Sequence, residues 1–236
     1  MSIINSIKKE EISIEKDEVL RYLQYKNQEI DSSFLKRLDE SIEKVKSIIT
    51  PKAIYGIYPI KYIDNKIKIE GTNLIIESND IKKLLKDCKS CILMAVTIGC
   101  RVDKEIRKEE YEDLSNSLIM DAVATTFVEK ICDYIEELIK KESINKNLTM
   151  RYSPGYGDLS IDYGKEILNI LESQRIGITL NNKGIMIPRK SVNAVIGVYS
   201  YENKNILKNP KKSCYICNNY NNCRYKKDIK NTDFDK

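Results

Sequence analysis

Apolar residues recur every three or four positions in several stretches of the chain, which is the spacing of an amphipathic helix. The longest such stretch runs from Glu112 to Lys141. Its expected core-facing stripe consists of Leu114, Leu118, Ala122, Phe127, Ile131, Ile135 and Leu138. Asp31 and Pro51 mark the start and end of another helix. The predicted helices cover about 13–25, 34–49, 81–85, 103–110, 112–141 and 160–171.

Runs of Ile, Val and Tyr between turn residues predict strands among these helices. The run Cys91–Ile98 is almost continuously apolar, as expected for a strand buried on both faces, and we expect it at the centre of the sheet. An Asn-Asn-Lys-Gly turn at 181–184 predicts a hairpin. The predicted strands are 12–14, 54–63, 66–70, 74–76, 91–98, 176–180, 185–187 and 192–199.

Strands and long helices without regular alternation predict an α+β fold, mainly an antiparallel sheet with flanking helices. We expect one domain over residues 1–203, helical in its N-terminal part at about 1–50, followed by a tail over 204–236. The chain has 236 residues, enough for a sizeable core. No run approaches the ~20 apolar residues that span a bilayer, and no secretory leader is recognisable, so we expect a cytoplasmic protein without a membrane partner.

The chain contains no histidine. This excludes Ser–His–Asp and Cys–His catalysis and histidine-bearing metal sites, because imidazole is the side chain that supplies this chemistry near neutral pH. A phosphate-binding glycine loop is missing as well. We therefore expect a protein with no evident catalytic apparatus of its own.

The segment Arg151–Asp158, Arg-Tyr-Ser-Pro-Gly-Tyr-Gly-Asp, is the clearest candidate for binding chemistry. Its proline and two glycines cannot continue a helix and predict a turn. The Arg151 guanidinium can hold a carboxylate with two parallel hydrogen bonds, and Tyr156 offers a flat face and a hydroxyl. The alternative is an ordinary Pro-Gly turn with a surface arginine.

This segment, with its Arg-x-x-x-Gly-Tyr core, resembles the activation domain of cobalamin-dependent methionine synthase, and so do Gly177–Leu180 and Met186–Val192. The stretches Glu18–Leu23 and Ala95–Asp103 are similar to small stand-alone relatives. The resemblance covers roughly residues 11–200 and implies the fold of that domain. It also implies that the Arg-x-x-x-Gly-Tyr element binds S-adenosylmethionine during reductive remethylation of inactive cob(II)alamin.

The resemblance implies a binding site made by Arg151, Ser153, Gly155 and Tyr156, with Arg151 on the ligand's carboxylate. In the family, two acidic residues occupy comparable positions on the long helix. Here Asp121 matches one of them, and Thr125, one turn later on the same face, replaces the other. Asp121 is therefore the helix residue that we add to the expected site. No catalytic residue is predicted.

The tail differs from the rest of the chain in charge. Eight Lys or Arg and a single acid lie between Lys204 and Lys230, which leaves a net charge of −2 for the remaining residues. The body is therefore not a basic, nucleic-acid-type domain. The tail itself is interpreted as solvated, with two alternatives: contacts to nucleic acid through its tyrosines and basic residues, or steering of an acidic electron donor such as flavodoxin or ferredoxin.

The tail also contains Cys214, Cys217 and Cys223, whose spacing is that of half a zinc or iron–sulfur site. Cys88 and Cys91 could complete four thiolates if the tail folds back. Two cysteines at those positions are, alternatively, small apolar residues of the core.

The resulting expectation is an S-adenosylmethionine-binding subunit that caps a separate cobalamin-carrying methionine synthase lacking its own activation domain. Its contribution to the reductive remethylation of the partner's cobalamin is orientation and proximity. Two alternatives stay open. One is an accessory module for a corrinoid protein without S-adenosylmethionine activity, and the other is a metal-binding module that depends on the C-terminal cysteines.

Overall fold

The computed structural model describes residues 2–25, 28–142 and 146–200. Within these residues the helices are α1 (Lys16–Tyr22), α2 (Ser32–Ile48), α3 (Asn79–Leu85), α4 (Cys100–Glu112), α5 (Leu114–Glu142) and α6 (Tyr163–Leu171). The strands are β1 (Ile3–Ser6), β2 (Lys52–Ile63), β3 (Lys66–Ile69), β4 (Ile75–Ile76), β5 (Ser90–Thr97), β6 (Lys146–Leu148), β7 (Thr179–Leu180), β8 (Met186–Ile187) and β9 (Ser191–Ser200).

In the described part of the chain, seven strands form one antiparallel sheet in the order β4-β3-β2-β5-β9-β6, with β1 paired to β2. Strand β1 pairs with the first half of β2, and β3 pairs with the second half. Strand β5 is central in the sheet and pairs along its whole length with both β2 and β9. Strands β7 and β8 form a separate hairpin.

The two faces of the sheet carry separate apolar cores. In β5, Ile92, Met94 and Val96 face one cluster, which includes buried residues of α1, α2, α4 and α5. The alternate residues Cys91, Leu93 and Ala95 belong to the other cluster, with α3, α6 and strands β3 and β4. This alternation follows from the two-residue period of a strand. The predicted burial of Cys91–Ile98 on both faces is thus confirmed, and so is the α+β class.

Two sequence predictions about packing are wrong. Residues 12–14 are not a strand: Ile12 follows a short 3₁₀ turn and packs into the core instead. Leu114 and Leu118 are 64% and 59% exposed. The buried stripe of α5 at this end passes through Ser117 and Met120, so the two leucines face away from the sheet. Strands β1 and β6 were not predicted.

Candidate functional site

The Arg151–Asp158 segment lies at the edge of the sheet, directly after β6. The Tyr152 backbone still pairs with Val195 of β9, through hydrogen bonds of 2.9 Å in both directions. Beyond it the chain turns back on itself, because the Gly155 amide donates to the Leu159 carbonyl and the Leu159 amide donates to the Tyr156 carbonyl. The predicted turn is therefore present, and a strand leads into it.

Glycine is required at two positions of this segment. Gly155 and Gly157 have φ values of +93° and +51°, a backbone conformation that side chains with a Cβ rarely adopt. Space is also restricted at Gly157, where a Cβ would overlap the Asp80 carboxylate and the Tyr152 hydroxyl. The close approach of the segment to α3 therefore depends on the missing side chain.

Asp158 ties the end of the segment to the start of α3. Its carboxylate accepts hydrogen bonds from the Ser78 hydroxyl and from the amides of Asn79 (2.7 Å) and Asp80 (3.1 Å). Desolvation is the largest effect on this carboxyl and raises its pKa. The hydrogen bonds together outweigh desolvation and hold the pKa of Asp158 below its usual range.

Arg151, at the other end of the segment, contacts α5. Among the described residues, three α5 carboxylates accept from its guanidinium: Nη1 donates to Asp133 Oδ1 (2.7 Å) and Glu136 Oε1 (2.5 Å), and Nη2 donates to Glu129 Oε2 (2.6 Å). We call Arg151, Glu129, Asp133 and Glu136 the arginine cluster. The three acids follow each other at steps of four and three residues, which places them on one face of the helix.

The arginine cluster carries more negative than positive charge. One guanidinium and three carboxylates give a formal charge of −2. The acids differ in burial, because the Glu136 side chain is 14% exposed and that of Asp133 is 56% exposed. Burial raises the pKa of Glu136 despite the opposing attraction of Arg151. Charge in the cluster is thus only partly compensated.

Helix α1 lies beside the cluster. Burial, together with the negative charge of Glu129, raises the pKa of Tyr22 to about 12. The Arg21 guanidinium lies 4.3 Å from the centre of the Tyr22 ring and also donates to Glu18. The position of α1 next to α5 could not be inferred from local sequence pattern.

Ser153, Gly155 and Tyr156 occupy the turn between the two ends of the segment. The Tyr156 amide donates to the Ser153 carbonyl, and the Tyr156 side chain is 62% exposed. Its ring lies edge-on to Tyr152, with 6.4 Å between the ring centres. The structure therefore brings Arg151, Ser153, Gly155 and Tyr156 into one surface loop, as expected for residues adjacent in sequence.

Asp121 lies elsewhere on α5. Its Oδ1 is 2.8 Å from Nζ of Lys190, which also donates to the Thr125 hydroxyl at 2.9 Å. Asp121 precedes Glu129 by eight residues, or about 12 Å along the helix axis. This offset separates Asp121 from the acids that hold Arg151, and a ligand-binding role for Asp121 stays a prediction.

The cysteines inside the described part of the chain do not form a metal site. Burial raises the pKa of Cys88 and of Cys91 to about 12 each, which disfavours the thiolate form that binds metals. No group of three or more His, Cys, Asp or Glu that could hold a metal occurs within the described residues. Cys214, Cys217 and Cys223 lie outside those residues, and metal binding by the tail stays a prediction.

A separate cleft of about 710 Å³ lies near the C-terminal end of α6. It is lined by Tyr58 and Leu74 on the sheet side and by Asn169 and Ile170 on the helix side, with Arg175 at its rim. Among the described residues, the predicted site residues Arg151, Ser153, Gly155, Tyr156 and Asp121 do not line it.

Comparisons with known proteins support the fold. No protein-family model matches the sequence, and a search of curated proteins finds no match. Among solved structures, the chain is similar to the crystal structure of the MetH reactivation domain bound to AdoHcy, with a TM-score of 0.63 and 15% identity. The match covers 84% of this chain and 78% of that chain. At this identity it shows that the two chains share a fold.

The described helices include none that is both long enough and apolar enough to cross a lipid bilayer.

Proposed function

We propose that the chain binds S-adenosylmethionine at the Arg151–Asp158 loop and supports reductive remethylation of the cobalamin of a separate methionine synthase. The fold is that of a reactivation domain solved with AdoHcy, the compound that S-adenosylmethionine becomes after losing its methyl group. The loop carries the Arg-x-x-x-Gly-Tyr element through which the resemblance was recognised.

The observation that carries the proposal is the formal charge of −2 in the arginine cluster beside this loop. S-adenosylmethionine has one carboxylate and two cationic groups, an ammonium and a sulfonium. A guanidinium next to surplus carboxylates matches both signs, because each ligand charge can meet an opposite charge on the protein. A simple anion site would have the opposite balance.

The contacts of Arg151 indicate how the ligand would enter. Both terminal nitrogens already donate to carboxylates, so a ligand carboxylate that takes two parallel hydrogen bonds from them displaces one of these acids. Asp133 is the most exposed of the three acids and therefore loses least when it turns towards water. In the proposed complex, the displaced Asp133 carboxylate pairs with the ligand's ammonium. Glu136, which is mostly buried, stays on Arg151.

The loop itself supplies the remaining contacts of the proposed site. Gly155 lets the backbone approach the nucleoside closely, since no Cβ stands in the way. The exposed ring of Tyr156 can lie against the sulfonium as a cation–π partner. Ser153 contributes a hydroxyl at the same surface. Asp121 is not included in this arrangement, because it lies about 12 Å along α5 from Glu129.

In the proposed reaction, S-adenosylmethionine gives its methyl group, without the bonding electrons, to reduced cobalamin on the partner and leaves as S-adenosylhomocysteine. A flavodoxin or ferredoxin supplies the reducing electron. In this proposal the chain, the partner synthase and the electron donor all act in the cytoplasm. This chain holds the methyl donor and orients it, which converts an encounter of free molecules into a reaction within one complex. Acid or base chemistry by the chain is not needed.

The test is calorimetric titration of the full chain with S-adenosylmethionine and with S-adenosylhomocysteine. We expect binding that is weakened at least tenfold by Arg151→Lys, because an ammonium cannot form the two parallel hydrogen bonds of a guanidinium. Arg37→Lys is the matched control, since Arg37 forms a single ion pair with Asp113 away from the loop. Absence of binding by the unaltered chain overturns the proposal and favours an accessory module without S-adenosylmethionine activity.

A further inference from the structure

The segment Glu77–Asp80, at the start of α3, is the support on which the loop rests. The Tyr152 hydroxyl donates to Asp80 Oδ2 at 2.9 Å, and the Asp158 carboxylate accepts from residues 78–80. Tyr163, five residues after Asp158, accepts a hydrogen bond from the Glu77 amide through its hydroxyl at 3.0 Å. Two side chains of the loop, Tyr152 and Asp158, and one that follows it, Tyr163, thus all reach this one segment.

The contact between Asp158 and Asp80 is reciprocal. The Asp80 amide donates to Asp158 Oδ1, while the Asp158 amide donates to Asp80 Oδ2 at 3.3 Å. Gly157 lies between the two, with no room for a Cβ. Each carboxylate therefore satisfies the backbone of the other residue, and the two segments are held in one register.

The loop is consequently anchored at both ends, by Arg151 on α5 and by Asp158 on α3. Ser153–Tyr156, the part proposed to face the ligand, lies between these anchors. Gly155 within it allows many backbone conformations, so the anchors have to select one of them. Of the two anchors, only Arg151 is proposed to touch the ligand, because the Asp158 carboxylate makes its contacts with residues 78–80.

We propose that Asp158 is a positioning residue of the S-adenosylmethionine site: by holding residues 78–80 it keeps Ser153–Tyr156 in the binding conformation before the ligand arrives. The inference rests on the proposed function. Without Asp158, the ligand has to order the loop as it binds, and that ordering cost appears as lost affinity.

The test compares Asp158→Ala with Asp31→Ala in the full chain. Asp31 makes equivalent contacts at the start of α2, on the other face of the sheet, where it accepts from the Phe34 amide and the Ser33 hydroxyl. Both variants thus lose a helix-start carboxylate, and only one of them loses the loop contact. The readouts are backbone hydrogen exchange at residues 153–159 without ligand, and calorimetric affinity for S-adenosylhomocysteine.

We expect Asp158→Ala to speed exchange at 153–159 and to lower affinity about tenfold, and Asp31→Ala to change neither. Asp158→Asn keeps one oxygen that can accept from the amides and should recover part of the affinity. Unchanged exchange in Asp158→Ala, or faster exchange with unchanged affinity, overturns the role of Asp158. If the unaltered chain binds no ligand, the proposed function fails, and the exchange data alone decide whether Asp158 fixes the loop.

Discussion

Helix α5 holds a cation from a distant part of the chain at two places, and the two arrangements differ in charge balance. Near its N-terminal end, Lys190 meets one carboxylate, Asp121, together with the neutral oxygens of the Thr125 hydroxyl and the Asp121 carbonyl. In its C-terminal half, Arg151 meets three carboxylates. The first set is electrically neutral, and the second has negative charge left over.

This difference in charge balance indicates at which of the two places a charged ligand can gain binding free energy. At the Lys190 pair, a ligand ion has to break a contact that is already balanced, and it gains nothing overall. In the arginine cluster, a ligand with two cations and one anion improves a balance that the protein alone leaves incomplete. The two places share a helix and similar side chains. The ratio of carboxylates to cations therefore distinguishes an ion pair that only stabilises the fold from a cluster that can bind a charged ligand.

The largest expected effect comes from removing the cation of the arginine cluster. Arg151→Ala leaves Glu136 mostly buried without its guanidinium partner, and we expect the free energy of unfolding to fall by about 3 kcal/mol. Urea unfolding at pH 7 measures this. Arg151→Lys, which keeps a charge there, should lose less. A loss below about 1 kcal/mol in the alanine variant would show that the cluster is no more coupled than an exposed ion pair.

A smaller effect of opposite sign is expected for Glu136→Gln. The folded-state pKa of Glu136 is raised, so the ionised carboxylate is a cost of folding that grows as the pH rises from the unfolded value of about 4.5. Removing that charge should raise stability at pH 7 by up to about 1 kcal/mol. The gain should vanish at pH 4, where the unaltered carboxyl is protonated. Lower stability of the glutamine variant at pH 7 contradicts this account.

The smallest effect is expected for Asp121→Asn. Asp121 is half-exposed, and pairs of this kind contribute little, so we expect a stability change of about 0.5 kcal/mol or less. The affinity for S-adenosylmethionine should not change, because Asp121 lies about 12 Å along α5 from Glu129. Titration of this variant sharpens the comparison: a tenfold loss of affinity would mean that both ends of α5 belong to one ligand site.

Local pattern was sufficient for much of the fold. The unbroken apolar run Cys91–Ile98 can be stable only between two cores, and it forms β5, buried on both faces. The turn at 181–184 joins β7 and β8 as predicted. The stripe of α5 was harder, because Ser117 is buried and Leu118 is not, which reverses their ordinary hydropathy. Packing against α2 and α4 decides which residues of α5 are buried, and the helical spacing of apolar residues alone does not reveal this.

The candidate site was predictable only in part. The loop residues were found because they are adjacent in sequence and match one motif. The acids Glu129, Asp133 and Glu136 were missed, although their spacing places them on one helix face. Nothing local shows that this face, among several charged ones, meets Arg151. That pairing depends on how β6 returns from the end of α5 to the sheet edge, which is a tertiary property.

The position of β9 has a consequence for the order in which the molecule is made. This strand is the last described element of the chain, yet it lies inside the sheet between β5 and β6. Ser191 and Thr97, bonded through their hydroxyls, are 94 positions apart. While a ribosome is still translating the first 190 residues, one edge of β5 has no strand to pair with. Completion of the core therefore waits for a long-range closure, the slow class of folding step, and messages truncated before Ser191 yield chains with an apolar strand edge open to aggregation.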